Sequence, residues 1–173
     1  MTKQNITKAA QKLHLSGLLQ CLDIRLQESM ANQLTHAEFL ELILQDEIMI
    51  REQRALERRK KNAMFRELRT LEDFDFRFNE SIKRSQIYEL ATCKYIDETR
   101  DILFMGSPGV GKSHLAQALG YQAIKSGRTV FYTSIFDMVR DLHEEEDIPG
   151  KRTRLNKYLK CDLLIIDDMG IKQ

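Results

Sequence analysis

Between Gly106 and Ser113 the chain reads Gly-Ser-Pro-Gly-Val-Gly-Lys-Ser, which puts a lysine and a hydroxyl directly after a glycine-rich turn. Glycines permit the backbone turns that aim successive N–H groups inward, and a helix opening there adds the positive end of its dipole. Such a loop cradles phosphate oxygens. Lys112 then reaches the β and γ phosphates of ATP as a point charge, and the Ser113 hydroxyl coordinates Mg2+. Gly106, Ser107, Pro108, Gly109, Val110, Gly111, Lys112, Ser113 and the adjoining His114 are therefore the candidate nucleotide-binding residues. With ordinary glycine usage, a chance match to GxxxxGK[ST] in a chain of this size has a probability on the order of 0.01.

Further along, Leu163-Leu164-Ile165-Ile166-Asp167-Asp168 is an apolar strand pattern ending in acid, in the order and context of a Walker-B motif. Asp167 is the candidate magnesium ligand, directly or through water. Asp168 stands where a carboxylate orients an attacking water, which with Lys112 makes it the candidate catalytic residue. Read without that chemistry, the two acids are a solvated strand end. The second position is usually glutamate in such motifs, and aspartate reaches less far.

These groups need elements to hold them. Ile102–Met105 is a short apolar run ending in Gly106, as a buried strand would, and Leu115, Ala118, Leu119 and Ala123 then recur at helical period. Thr129–Thr133 predicts a strand, Ser134 with Asp137 caps another helix, and Leu163–Ile166 is a second fully apolar strand. Strand and helix in alternation specify a parallel sheet covered by helices.

The front half is different. Leu15, Leu18, Leu19, Leu22 and Leu26 form one apolar helix face. Thr35 and Glu38 have capping-box spacing, and the helix they open extends toward Met64. At Phe74, Phe76 and Phe78 the period drops to two, predicting an extended connector, and a further helix is expected over 81–98. The division is thus a helical N-terminal domain (1–70), a connector (71–80) and a P-loop domain (81–173).

On these residues the chain resembles the IstB-like family, ATP-binding helpers of insertion-sequence transposition, which is similar to the helicase loader DnaC within the AAA+ class. The carriers are Thr35-His36-Ala37-Glu38-Phe39-Leu40, Leu71-Glu72-Asp73-Phe74-Asp75-Phe76, the P-loop running on through His114-Leu115-Ala116, and Asp162–Asp168. The resemblance implies an α/β fold with an all-helical N-terminal region before a partial AAA+ three-layer αβα domain of parallel strands. The C-terminal strands, sensor residues and arginine finger have no positions in this sequence, so it is expected to be truncated after Walker B. The implied activity is hydrolysis of ATP to ADP and phosphate, controlling assembly on double-stranded DNA to help a transposase select its target. The implied partners are DNA, the transposase and further copies of the chain. A helicase loader, a non-hydrolysing DNA- or partner-binding fragment and a P-loop kinase are the competing readings.

A net charge of +1 excludes a globally basic protein, so any DNA contact must come from local clusters. From Arg51 to Arg69 eight basic residues face three acidic ones, Arg58, Arg59, Lys60 and Lys61 at their centre. A second cluster holds Lys151, Arg152, Arg154, Lys157 and Lys160. Each fits either phosphate contacts or a solvated helix face. The phenylalanines of the connector fit base stacking or core packing. Three scattered cysteines without CxxC spacing suit a reducing cytoplasm, and no apolar stretch approaches the ~20 residues that span a bilayer.

Overall fold

The computed structural model describes residues 3–79, 81–146 and 155–168. The chain divides into two compact units, Met1–Glu57 and Arg58–Gln173. The sequence changes character at 70–80, whereas by packing the second unit takes in the chain from Arg58 onward.

The first unit is helical: α1 (Lys3–Lys12), α2 (Ser16–Asn32) and most of α3 (His36–Asn62). The first of these was not expected from the leucine pattern, which begins only at Leu13; Ala10 is its buried anchor. Leu18 and Leu22 of α2 and Ile43 of α3 complete the buried cluster, with Leu15, Leu19, Leu26 and Phe39 packed on it. The predicted capping box forms, since the Thr35 hydroxyl accepts from the Glu38 N–H while the Glu38 carboxylate accepts from the Thr35 N–H at 2.8 Å.

Two buried acids tie α2 to α3. Leu15, at the start of α2, supplies no side-chain cap, and the Glu47 carboxylate instead accepts the Leu18 N–H at 2.9 Å and the Arg51 guanidinium at 2.5 Å. Gly17 allows the approach: a Cβ there would lie 2.9 Å from the Glu47 Cα. Asp46 takes both arms of Arg25 at 2.7 and 2.8 Å.

The Arg25 hydrogen bonds hold the Asp46 carboxyl below its ordinary range; for Glu47, burial pushes up but the Leu18 and Arg51 bonds outweigh it. With folded values depressed, their contribution is present above the ordinary carboxyl range and is lost as pH falls through the folded values. The expected result is therefore a helical unit whose melting temperature drops on acidification below about pH 4, and a shallower drop in Asp46→Asn. A pH series of circular-dichroism melts checks it.

The second unit contains α4 (Arg84–Leu90), α5 (Lys94–Asp97), α6 (Lys112–Lys125), β1 (Val130–Ser134), α7 (Ile135–Glu146), α8 (Leu155–Leu159) and β2 (Leu163–Asp167). β1 and β2 pair in parallel, Val130 opposite Leu163 through Ser134 opposite Asp167. The predicted cap of α7 forms, Ser134 Oγ accepting from the Asp137 N–H at 3.0 Å. The other edge of β1 is covered by the chain after α3, where the Ala63 carbonyl accepts the Tyr132 N–H at 2.8 Å. That contact blunts a sheet edge that would otherwise stay open.

Three expectations change. Residues 102–105 form no strand: Ile102 and Phe104 pack on the core while Leu103 and Met105 are exposed, the alternation of a strand without a described strand beside it. The sheet among the described residues therefore has two strands, not three. The helix expected over 81–98 is two short ones, broken where Cys93 turns left-handed at φ 61°. The described part of the connector, 71–79, is built from turns, not extended chain. Its Phe74 and Phe76 pack on the core of Leu71, Ile87, Leu115, Ala118 and Leu119, as straps do, and Phe78 is exposed.

Candidate nucleotide-binding site

The loop before α6 owes its path to glycine. Gly109 and Gly111 stand at φ 83° and 92°, and Gly106 at 153°, backbone conformations that residues with a side chain rarely adopt. The loop's outer turn, 106–109, is exposed.

Its inner side is buttressed by the connector. The Phe74 ring lies where a Cβ on Gly111 would come within 2.6 Å of Cε2. Phe74 meets Phe76 edge-on at 4.9 Å and His114 at 5.2 Å, and the His114 ring nitrogen bonds the Thr70 carbonyl at 2.8 Å. His114, a candidate for nucleotide contact by position, thus has its ring engaged with the connector. The alternating phenylalanines of the connector pointed to core packing, but nothing in the sequence pointed to the loop as what Phe74 packs against.

Lys112 opens α6 and folds back over the loop, its ammonium donating to the Gly106 and Ser107 carbonyls at 2.8 Å each. In this position the charge lies across the loop. One residue on, the Ser113 hydroxyl stands near the Asp167 carboxylate and helps hold it ionised, so the P-loop hydroxyl and the strand-end acid come together. This oxygen pair suits Mg2+, which takes few protein ligands and completes its shell with water and phosphate.

Asp167 is held from the other side by Tyr132, whose hydroxyl donates to Oδ2 at 2.6 Å. Burial pushes the Asp167 carboxyl up, but hydrogen bonds from Tyr132, Ser113 and the Asp168 N–H, with Arg66 nearby, outweigh it and the carboxyl titrates low. Burial and that same acid push the Tyr132 hydroxyl well above its ordinary value, so it remains a donor. Asp168 follows with φ 56°, its N–H on Asp167 Oδ1 at 2.8 Å and its carboxylate accepting from Arg66 at 2.7 Å. Tyr132 and Arg66 were not singled out as site residues by sequence. A tyrosine amid an apolar strand is the one signal the sequence carries.

The basic candidates are placed unevenly. Arg58 and Lys61 are exposed at the end of α3, Arg59 is half-buried, and the Lys60 ammonium stands 6.0 Å from the Tyr121 ring centre. Lys157 pairs with Asp141, and Lys160 is exposed. Lys151, Arg152 and Arg154 lie outside the described residues. No helix among the described residues is long and apolar enough to cross a membrane.

A family model for IstB-like ATP binding proteins matches residues 8–173. A Mycobacterium tuberculosis protein, named for ATP binding and for an insertion sequence, is 34% identical over 168 residues, covering 97% of this chain and 67% of that one. The corresponding protein of insertion sequence IS5376 from Geobacillus stearothermophilus is 30% identical with the same coverage. That of IS21 from Pseudomonas aeruginosa is 33% identical over 157 residues, 91% of this chain and 58% of its own. The chain thus spans about two thirds or less of the length of these relatives.

Proposed function

Since the chain belongs to the IstB-like ATP-binding protein family, we propose that it binds ATP with Mg2+ at the loop 106–113 and uses the nucleotide to control assembly on double-stranded DNA in support of a transposase. The observation that carries this reading is the meeting of Ser113 with Asp167 beneath a glycine loop whose lysine already lies across it. The loop N–H groups and Lys112 would bind the phosphates. Ser113 and Asp167 would hold the metal, which supplies charge neutralisation at the β and γ oxygens. Asp168 would orient water for hydrolysis to ADP and phosphate. The fuller three-layer αβα arrangement, self-association through this domain and a cytoplasmic setting belong to the same proposal.

The relatives are named for insertion sequences, which favours a transposition helper over a helicase loader. For DNA, the exposed Arg58 and Lys61 with neighbouring Arg59 and Lys60 are the described candidates.

Duplex-DNA binding is expected to fall steeply with salt, to tighten when ATP is present, and to lose about one unit of salt slope for each of Arg58→Ala and Lys61→Ala. Fluorescence anisotropy across a salt series, with and without Mg·ATP, measures it. DNA binding indifferent to ATP would point instead to a plain binding module.

A further inference from the structure

Arg66 leaves the end of α3 and reaches the tip of β2, 102 residues further along the chain, where its guanidinium donates to Asp168 Oδ2 at 2.7 Å. The same guanidinium lies 5.9 Å from the ring centre of Tyr132, whose hydroxyl holds Asp167. The two strand-end acids are thus held by two neighbouring side chains, Asp167 by Tyr132 and Asp168 by Arg66. Phe65, next to Arg66, meets the Tyr132 ring edge-on at 6.1 Å, and the Ala63 carbonyl takes the Tyr132 N–H, so the segment carrying Arg66 is fastened along β1.

This fastening constrains what Asp168 can do. Its backbone is left-handed, its N–H is committed to Asp167, and one carboxylate oxygen is committed to Arg66. A carboxylate that orients a water must offer that water a free acceptor in the right direction. Here one of its two oxygens is taken by a permanently charged partner. The ion pair is also easily undone, because both side chains are substantially exposed, at 56% and 43%. Exposed pairs contribute little net free energy, which suits a contact that must open and close.

We propose that Arg66 is a positioning residue that restrains Asp168 while the nucleotide site is idle, and that release of the pair is a step toward hydrolysis. The inference rests on the ATPase reading above and adds to it a regulatory contact from the segment that leads out of the basic helix end. Through Arg66, any movement of residues 63–67 along β1 is transmitted to the acid that would orient water.

The test uses the full chain. In the nucleotide-free protein, the Arg66 guanidinium nitrogens should give an NMR signal with slowed exchange that disappears in Asp168→Asn, and Mg·ATP should abolish it in the wild type. Arg66→Gln should raise phosphate release by about two- to fivefold, the range an exposed ion pair allows, at unchanged ATP affinity and melting temperature. Arg66→Lys, retaining charge but not the planar fork, should fall between. An Arg66 signal identical in wild type and Asp168→Asn overturns the proposal, as does unchanged or reduced phosphate release in Arg66→Gln with ATP affinity intact. Failure of the wild type to bind ATP at all sinks the ATPase reading itself, and is told apart by the binding measurement alone.

Discussion

Replacing Lys112 by alanine is expected to weaken ATP binding about a hundredfold while leaving the fold in place. The ammonium lies across the loop on the Gly106 and Ser107 carbonyls, a half-exposed position from which it can turn to phosphate without repacking any core residue. Each charge-assisted hydrogen bond to a phosphate oxygen is worth about 1.5–3 kcal/mol, so loss of contacts to two phosphates reaches about 3 kcal/mol, or a hundredfold in Kd. The bonds lost in the free protein are to carbonyls that water can reach, so the melting temperature should barely move. Equilibrium titration with a fluorescent ATP analogue, beside a thermal melt of the same variant, separates the two effects. A large loss of stability would mean that Lys112 is part of the loop's scaffold rather than its ligand-facing charge.

The second large effect is expected at Gly111. Alanine there meets two obstacles: a left-handed backbone that costs a non-glycine residue about 1–2 kcal/mol, and a Phe74 ring atom 2.6 Å from the new Cβ. The ring has little room to yield, being flanked by Phe76 and His114 and seated on the core around Leu71. Overpacking of this kind costs roughly 1–3 kcal/mol more, so Gly111→Ala should destabilise the second unit by about 2–5 kcal/mol. Gly109 provides the control. It too is left-handed, at φ 83°, but nothing lies within 4 Å of its Cβ direction, so Gly109→Ala should show the backbone part alone. Phe74→Leu introduced beside Gly111→Ala should recover the steric part and not the conformational one. Denaturant unfolding of the four proteins measures the split, and equal losses at Gly109 and Gly111 would contradict the strap.

What could be read from the sequence was whatever is decided over a few residues. The glycine loop, the acid-tipped strand and the two capping pairs Thr35/Glu38 and Ser134/Asp137 each depend on local spacing, and the caps and the strand stand where that spacing puts them. What could not be read depends on partners distant in the chain. Glu47 caps a helix that begins 31 positions earlier, at Ser16, through Leu18, which is 29 residues away. Tyr132 and Arg66 find the strand-end acids 35 and 102 residues away. No periodicity announces such pairs.

Local pattern also misled. Ile102–Met105 has the composition of a buried strand, yet a strand is a pairing relation, and no described strand lies beside it. The phenylalanines at 74, 76 and 78 alternate like an extended chain, but the backbone turns, because packing Phe74 against the loop and Phe76 against Leu71 outweighs the local preference. The helix expected over 81–98 breaks at Cys93, whose left-handed backbone no cysteine propensity would suggest.

The measurement that tests the account most directly is a calorimetric titration of the whole chain with ATP in the presence and absence of magnesium. The account predicts one saturable site per chain, strengthened by magnesium because Ser113 and Asp167 together offer it oxygen ligands, and competed by ADP. A folded, cooperatively melting chain that takes up no ATP under these conditions would contradict it.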